Sequence, residues 1–457
     1  MKIHKKILLL GAGRSTASLI DYLVSHLESE NWTLKIVERQ LDAVFSKLKE
    51  HDLVTVSQTD ITNETVRHQL ISESDIVISM LPVAFHLQII KDCISLRKPL
   101  VTASYITPEI EALTQSAKDA GVVIMKEVGV DPGIDHMSAM KLIDGIRGKG
   151  GQILLFESFT GGLIAPESDN NPWNYKFTWN PRNVVIAGQG GPAKFIQEGK
   201  YKYIPYNQLF RRTEYMEIEG FGKFEGIANR DSLRYRSVYG LDDIPTLYRG
   251  TLRRPGFSRA WDTFVKLGAT DDSYDMENVE EMTHREFINS FLAYNEHDSV
   301  ELKLMHYLNI PQDDPIMDKL KWLGIFERTP VGLSEGTPAQ ILQHILEKKW
   351  TLEKDDKDML VMWHKIGWLG TDGSKKMMTS SMVAKGEDQV HTSMAKTVGL
   401  PVAIATKMIL NGTIAEPGIH RPVTPEIYEP ILKELVDYGI EFTEKEMTPV
   451  FYWSEPE

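Results

Sequence analysis

Two short stretches carry the side chains best suited to chemistry. Val101-Thr-Ala-Ser-Tyr105 ends an apolar run with a cluster of hydroxyls, and Gly129-Val-Asp-Pro-Gly-Ile-Asp-His136 ends the next with two carboxylates and an imidazole. A carboxylate at such a strand end can shuttle protons or position an ammonium. Tyr105 can donate a proton or bind a carboxylate; its plainer role is interdomain packing. Asp131 can shuttle protons, but Asp131-Pro132 ahead of residues 134–142 is also a good helix start. The two roles are compatible.

These stretches need strands to place them. Apolar runs at 6–10, 34–37, 53–56, 75–80, 100–102 and 122–126 alternate with helical spacing at 15–27, 41–49 and 106–120, which predicts a doubly wound, Rossmann-like parallel α/β sheet. Ligands of such sheets collect beyond the carboxyl ends of the strands. The first run ends in Gly11-Ala12-Gly13-Arg14-Ser15-Thr16, which has the first two glycines of a dinucleotide turn and Thr16 in place of the third. Gly11 allows the tight turn, Gly13 lets backbone approach a pyrophosphate, and the following helix offers free N–H groups. The second strand ends in Glu38-Arg39-Gln40, where the ribose is read. Glu38 can accept from both ribose hydroxyls, favouring NAD, and Arg39 can pair with a 2′-phosphate, favouring NADP. The residues alone lean slightly to NAD, and a solvated Glu–Arg pair is the alternative. Asp60 and Ile61 lie where adenine would sit, and Leu81 near the nicotinamide half. His86, at a helix start, reads as a structural histidine.

The composition excludes several function classes. The chain has 457 residues, 42% apolar and 25% charged, with a formal net charge of −13, which argues against nucleic acid. Cys93 is the only cysteine, so intrachain disulfides are impossible, and it reads as a small buried hydrophobe. The apolar run near the N-terminus is explained by a first strand, no segment approaches roughly 18 apolar residues, and a cytoplasmic protein without membrane partners is expected. None of the 13 histidines forms a paired ligand spacing, so no metal site is expected.

Residues 1–130 are expected to form the dinucleotide domain, 131–275 an α/β substrate domain, 276–375 a mostly helical insert, and 376–457 a segment returning to the substrate and dinucleotide domains. Strands are expected at 152–159 and 214–218. Helices are expected at 283–294, 299–308, 338–348 (capped by Ser334 or Thr337) and 393–411. The second domain supplies cations: Arg230 in one loop, Arg249, Arg253 and Arg254 in another stretch. Guanidinium forks bind carboxylates with two prongs, and a solvated or ion-paired face is the bland alternative. Lys176 sits among aromatics in Asn171-Pro-Trp-Asn-Tyr-Lys-Phe-Thr-Trp179. Burial there would lower its pKa and suit it to acid–base work; an aromatic-packed stem with its ammonium in water is the alternative.

At these residues the chain resembles the glutamate-forming saccharopine dehydrogenases, also called saccharopine reductases. The resemblance rests on segments in shared order: Ile78-Ser-Met-Leu-Pro82, Val101 to Ile106, Glu127 to Met137, Gly161-Gly-Leu163, Tyr175-Lys-Phe177, Asn229-Arg-Asp-Ser232, Arg249 to Arg253 and Lys396-Thr-Val-Gly-Leu-Pro401. It implies oxidation of the secondary amine of saccharopine to an imine and hydrolysis to glutamate and 2-aminoadipate semialdehyde, or the reverse. It also implies cofactor contacts at Ala12 to Ser15, Glu38 to Gln40, Asp60, Ile61, Leu81, Ala103, Ser104, Val130 to Pro132 and Asn180. Implied substrate contacts are Ser104, Tyr105, Asp135, Arg230, Thr251, Leu252 and Arg253. Asp131 and Tyr105 are then the leading proton-handling residues, with Lys176 behind them, and a homodimer is one compatible assembly. Two departures stand out: Thr160 replaces a cysteine common in the family, and the acidic Glu38 stands where NADP-preferring members often have a neutral residue. The rivals are a carboxynorspermidine dehydrogenase-like reductase of polyamine synthesis and a non-catalytic NAD(P)-binding sensor or assembly protein.

Overall fold

The computed structural model describes residues 4–40, 44, 48 and 51–450, so most of the helix expected at 41–49 lies outside the described residues. The chain divides into two compact units. Unit 1 comprises Met1–Ile153, Asp358–Met362 and Trp368–Met447; unit 2 comprises Leu154–Lys357, Trp363–Gly367 and Thr448–Glu457.

In unit 1 the predicted apolar runs become β1 (Lys5–Leu10), β2 (Trp32–Glu38), β3 (Val54–Gln58), β4 (Ile76–Ser79), β5 (Leu100–Val101) and β6 (Val123–Met125). Together with β15 (Gly418–His420) they form a parallel sheet in the order β15-β6-β5-β4-β1-β2-β3. The order reverses between β1 and β4, and the glycine turn follows β1 at this switch point. On one face, Leu8, Leu10, Val77, Leu100 and Ile124 pack with Ile89, Ile90 and Cys93 of the helix Val83–Ser95. Each such large apolar side chain contributes roughly 1.5–3 kcal/mol on burial, and Cys93 is the buried hydrophobe expected.

The helix expected over 106–120 is two short ones, Pro108–Glu111 and Thr114–Ala120. Thr107 caps the first and Pro108 occupies its opening turn. The helix Ser393–Leu410 corrects one expectation: by length and composition it could cross a membrane, although 72% of it is buried inside the protein.

Unit 2 contains most of β7 (Gln152–Ile164), then β8 (Ala193–Gln197), β9 (Lys200–Ile204), β10 (Thr213–Ile218), β11 (Gly222–Ala228) and β12 (Thr246–Arg253). Its sheet is mixed: β10-β11-β12 are antiparallel neighbours, whereas β12 and β7 run parallel with Thr251 opposite Thr160. The expected helical section follows as His284–Asn289, Val300–Leu308, Pro315–Trp322 and Pro338–Trp350. Thr337, not Ser334, caps the last, in a reciprocal capping box with Gln340. β13 (Asp358–Leu369) belongs to both units in alternate pieces, and β14 (Lys375–Lys385) pairs with β16 (Thr443–Met447) in unit 1.

Candidate active site

The turn after β1 has the geometry its glycines require. Gly11 has φ +89°, and a Cβ there would lie 3.0 Å from the Met80 carbonyl oxygen, so only glycine passes β4 this closely. Gly13 is exposed, and nothing lies within 4 Å of where its Cβ would be. Thr16 takes the third glycine's place by folding its hydroxyl back onto the Gly13 carbonyl at 2.8 Å. Arg14 is exposed and Ser15 half-buried beside it. These features fit a dinucleotide.

The Glu38 carboxylate points at backbone. It accepts from Ala12 N at 2.6 Å and Arg39 N at 2.6 Å, with Gln40 N at 3.4 Å, while Arg39 and Gln40 are exposed. Asp60 accepts from the Thr62 backbone and hydroxyl, which hold it below its ordinary range. Ile61 is buried and Leu81 half-buried, both against the same apolar cluster.

Tyr105 and Asp131 come together. The phenol donates to Asp131 Oδ1 at 3.0 Å, and both residues are half-buried. Their loops pass closely: a Cβ on Gly129 would lie 2.8 Å from Ala103 Cβ, and Gly133 has φ +148° with no room for a side chain against Gly129. Ser104 lies beside Ala103, its N–H 3.3 Å from the Thr102 hydroxyl. Val130 and Pro132 are buried in the turn, whose Asp131–Pro132 peptide is cis. Asp131 is not the helix cap; Gly133 occupies that position before Ile134–Arg147. Asp135, expected to meet a ligand, is instead 1% exposed and accepts from Gly133 N at 2.6 Å, so it is engaged in its own turn.

The sequence reading missed the charged residues behind this loop. Glu127 (φ +56°) is buried; its carboxylate accepts from Ile106 N at 2.7 Å and lies 3.0 Å from His136 Nε2 and 3.4 Å from Arg421 Nε. Burial opposes its ionisation, but the hydrogen bond and charge of His136, followed by Ile106 N and Arg421, prevail and lower its pKa to about 2. Lys126 is fully buried, its Nζ has no hydrogen-bond partner among the described residues, and burial pulls it down to about 8. His86, as expected, is structural: it is buried against Ser79 Oγ at 3.2 Å, and burial plus Lys126 pull it down to about 4. A charged residue directly ahead of the Val-Gly-Val-Asp turn was the only available signal.

In unit 2 the arginines do not act as one cluster. Arg249 stacks on Tyr235 at 3.9 Å and Arg254 on Phe224 at 4.4 Å. Arg253, at the end of β12, lies 5.0 Å from the Tyr175 ring and 5.3 Å from the Phe257 ring. It is buried, its Nη1 donates to the Leu252 carbonyl at 2.8 Å, and its Nε has no hydrogen-bond partner among the described residues. Thr251 beside it is half-buried and Leu252 fully buried. Arg230 is exposed, in a left-handed backbone conformation at φ +45°.

Two of the expected site residues are engaged within the protein. Lys176 is buried, and its Nζ is 2.6 Å from Asp356 Oδ2 in a buried ion pair rather than standing alone among the aromatics. Asn180 caps the helix Pro181–Val185, its side chain accepting from Arg182 N and Asn183 N.

Comparison with known proteins decides the family. Residues 7–125 match the saccharopine dehydrogenase NADP binding domain and residues 129–440 the saccharopine dehydrogenase C-terminal domain. The chain belongs to the saccharopine dehydrogenase family. Among its relatives is the Saccharomyces cerevisiae saccharopine dehydrogenase [NADP(+), L-glutamate-forming], 33% identical over 448 residues that cover 96% of this chain and 99% of the yeast protein. Another is the Rattus norvegicus mitochondrial alpha-aminoadipic semialdehyde synthase, 34% identical over 447 residues that cover 97% of this chain and 48% of the rat protein. The solved apo structure of the L-Glu-forming saccharopine dehydrogenase from Saccharomyces cerevisiae superimposes with a TM-score of 0.87 at 32% identity, covering 97% of this chain and all of that one. Within this saccharopine dehydrogenase fold, Thr160, the replacement for a common family cysteine, is 8% exposed on β7 opposite Thr251.

Proposed function

We propose that this chain oxidises the secondary amine of saccharopine with NADP+, giving L-glutamate, 2-aminoadipate 6-semialdehyde, NADPH and a proton with uptake of one water, or runs the reverse condensation. The Tyr105–Asp131 hydrogen bond carries the reading, because it sets a proton acceptor and donor at the strand ends that follow the glycine turn. The bound cofactor supplies the hydride acceptor. Gly11, Ala12, Gly13, Arg14 and Ser15 would hold its phosphates, and Ala103, Ser104 and Val130 to Pro132 its reacting half. Asp131, relayed through or oriented by Tyr105, takes the amine proton as the C=N bond forms. Water then adds to that carbon, and the pair returns a proton to nitrogen as the C–N bond breaks and glutamate leaves.

The cofactor reading moves from NAD toward NADP. Backbone N–H groups already occupy the Glu38 carboxylate, whereas the Arg39 guanidinium is exposed for a 2′-phosphate. The substrate reading rests on Arg253: a buried guanidinium without an ion-pair partner among the described residues suits a polyanionic amine better than the more cationic substrate of a polyamine reductase. Arg230, Thr251 and Leu252 would complete that contact set.

The test follows reduced-nicotinamide absorbance with saccharopine or carboxynorspermidine, and with NADP+ or NAD+. Turnover with saccharopine and NADP+ above the other pairings is expected; turnover of carboxynorspermidine alone would overturn the proposal.

A further inference from the structure

Residue 127 grips the chain on both sides of Tyr105. Its backbone N–H donates to the Ser104 carbonyl at 3.2 Å, and its side-chain Oε1 accepts from Ile106 N at 2.7 Å. The other carboxylate oxygen lies 3.0 Å from His136 Nε2, in the first turn of Ile134–Arg147, and 3.4 Å from Arg421 Nε beyond β15. Residues 127 and 136 bracket the loop that carries Asp131. One buried side chain therefore fixes the backbone next to the phenol and the far end of the carboxylate's loop. The left-handed φ of +56° at this non-glycine residue is what lets its N–H and its side chain reach the same tripeptide. The carboxylate is divided between the two segments whose separation sets the 3.0 Å Tyr105–Asp131 hydrogen bond.

We infer that Glu127 is a positioning residue for proton transfer, clamping Tyr105 against Asp131 while His136 and Arg421 hold the clamp. The inference rests on the proton-handling reading of Tyr105 and Asp131 given above. A group misplaced by about 1 Å can lose about a hundredfold in rate, so the clamp controls kcat more than ground-state affinity.

The test uses the full chain with Glu127→Ala, Glu127→Gln, Tyr105→Phe and the double variant Glu127→Ala/Tyr105→Phe. In Glu127→Ala, kcat should fall about thirtyfold, with the KM for saccharopine changing less than about threefold. Glu127→Gln still presents an acceptor to Ile106 N and should recover most of that rate. In the Tyr105→Phe background, Glu127→Ala should cost less than about threefold, because the group it positions is already gone. Amide exchange at Ile106 should quicken at least tenfold in Glu127→Ala, about the loss of one buried hydrogen bond. Equal cost of Glu127→Ala with and without the Tyr105 hydroxyl, or unchanged exchange at Ile106, would overturn the clamp. If Tyr105→Phe alone keeps full kcat, the proton-handling reading fails instead, and Ile106 exchange still decides whether the clamp exists. If Glu127→Ala does not fold, Glu127→Asp, whose shorter side chain withdraws the carboxylate from Ile106 N, carries the same cycle.

Discussion

Replacing Arg253 by methionine should separate binding from stability. Three contributions to folding change. The guanidinium loses its contacts with Tyr175 and Phe257, at 5.0 and 5.3 Å, together worth about 1–2 kcal/mol. It loses the hydrogen bond to the Leu252 carbonyl, about 1 kcal/mol. Against these, the buried Nε without a partner no longer incurs its desolvation cost of about 1–3 kcal/mol. Methionine's sulfur also regains some contact with the two rings. The balance lies within about 1 kcal/mol of zero, a melting shift of only about 2–4 °C. Binding has no such compensation. Losing a charge-assisted hydrogen bond to a substrate carboxylate costs about 1.5–3 kcal/mol, so the KM for saccharopine should rise about ten- to a hundredfold. Initial rates over a saccharopine series at saturating NADP+, with thermal melts and NADPH titration of the same preparation, measure all three quantities. A variant that melts far below the parent while its KM is unmoved would show that Arg253 holds the aromatic core rather than a ligand, and the reasoning would fail.

Gly133→Ala should cost about a hundredfold in kcat, since a methyl group there overlaps Gly129 backbone and the Asp131 loop must yield by about 1 Å; kcat within threefold of the parent would show the loop to be tolerant. Lys126→Met should raise the melting temperature at pH 7. Burial lowers Lys126 from 10.5 to about 8 in the folded state, so its ammonium opposes folding below pH 8 by about 3 kcal/mol. That penalty fades as pH rises from 8 to 10.5, so the variant's advantage should shrink over the same window; an advantage constant with pH would refute it. Glu38→Gln should raise kcat/KM for NADP+ relative to NAD+ several-fold by removing a negative charge beside Arg39, and an unchanged ratio would show that Glu38 serves the turn alone.

What the sequence disclosed and what it hid differ in physical kind. The first six strands of unit 1 were legible because buried parallel strands are continuous apolar runs with helical spacing between them, and their ends shift by only one or two residues, whereas β14, β15 and β16 of the same unit were not expected. Local capping chemistry was legible in part: Thr337, one of two candidates, closes a capping box with Gln340, whereas Thr283, expected inside its helix, caps it through Glu286. The break within 106–120 was missed, although Thr107-Pro108 is a helix start of the same local kind. The partners of buried charges were hidden. Lys176 finds Asp356 across 180 residues of sequence, and Glu127 finds Arg421 on the far side of unit 2 in the chain order. No spacing rule can show such pairings, because they depend on the topology rather than on neighbours. The distinction bears on function. Removing one partner of a matched buried charge, such as Lys176 with Asp356, leaves the other unpaired and destabilises the protein. Arg253 is also buried, yet neither the local pattern nor the completed fold gives it a carboxylate among the described residues. A guanidinium kept there despite its desolvation cost is most simply kept for a carboxylate that arrives with the substrate.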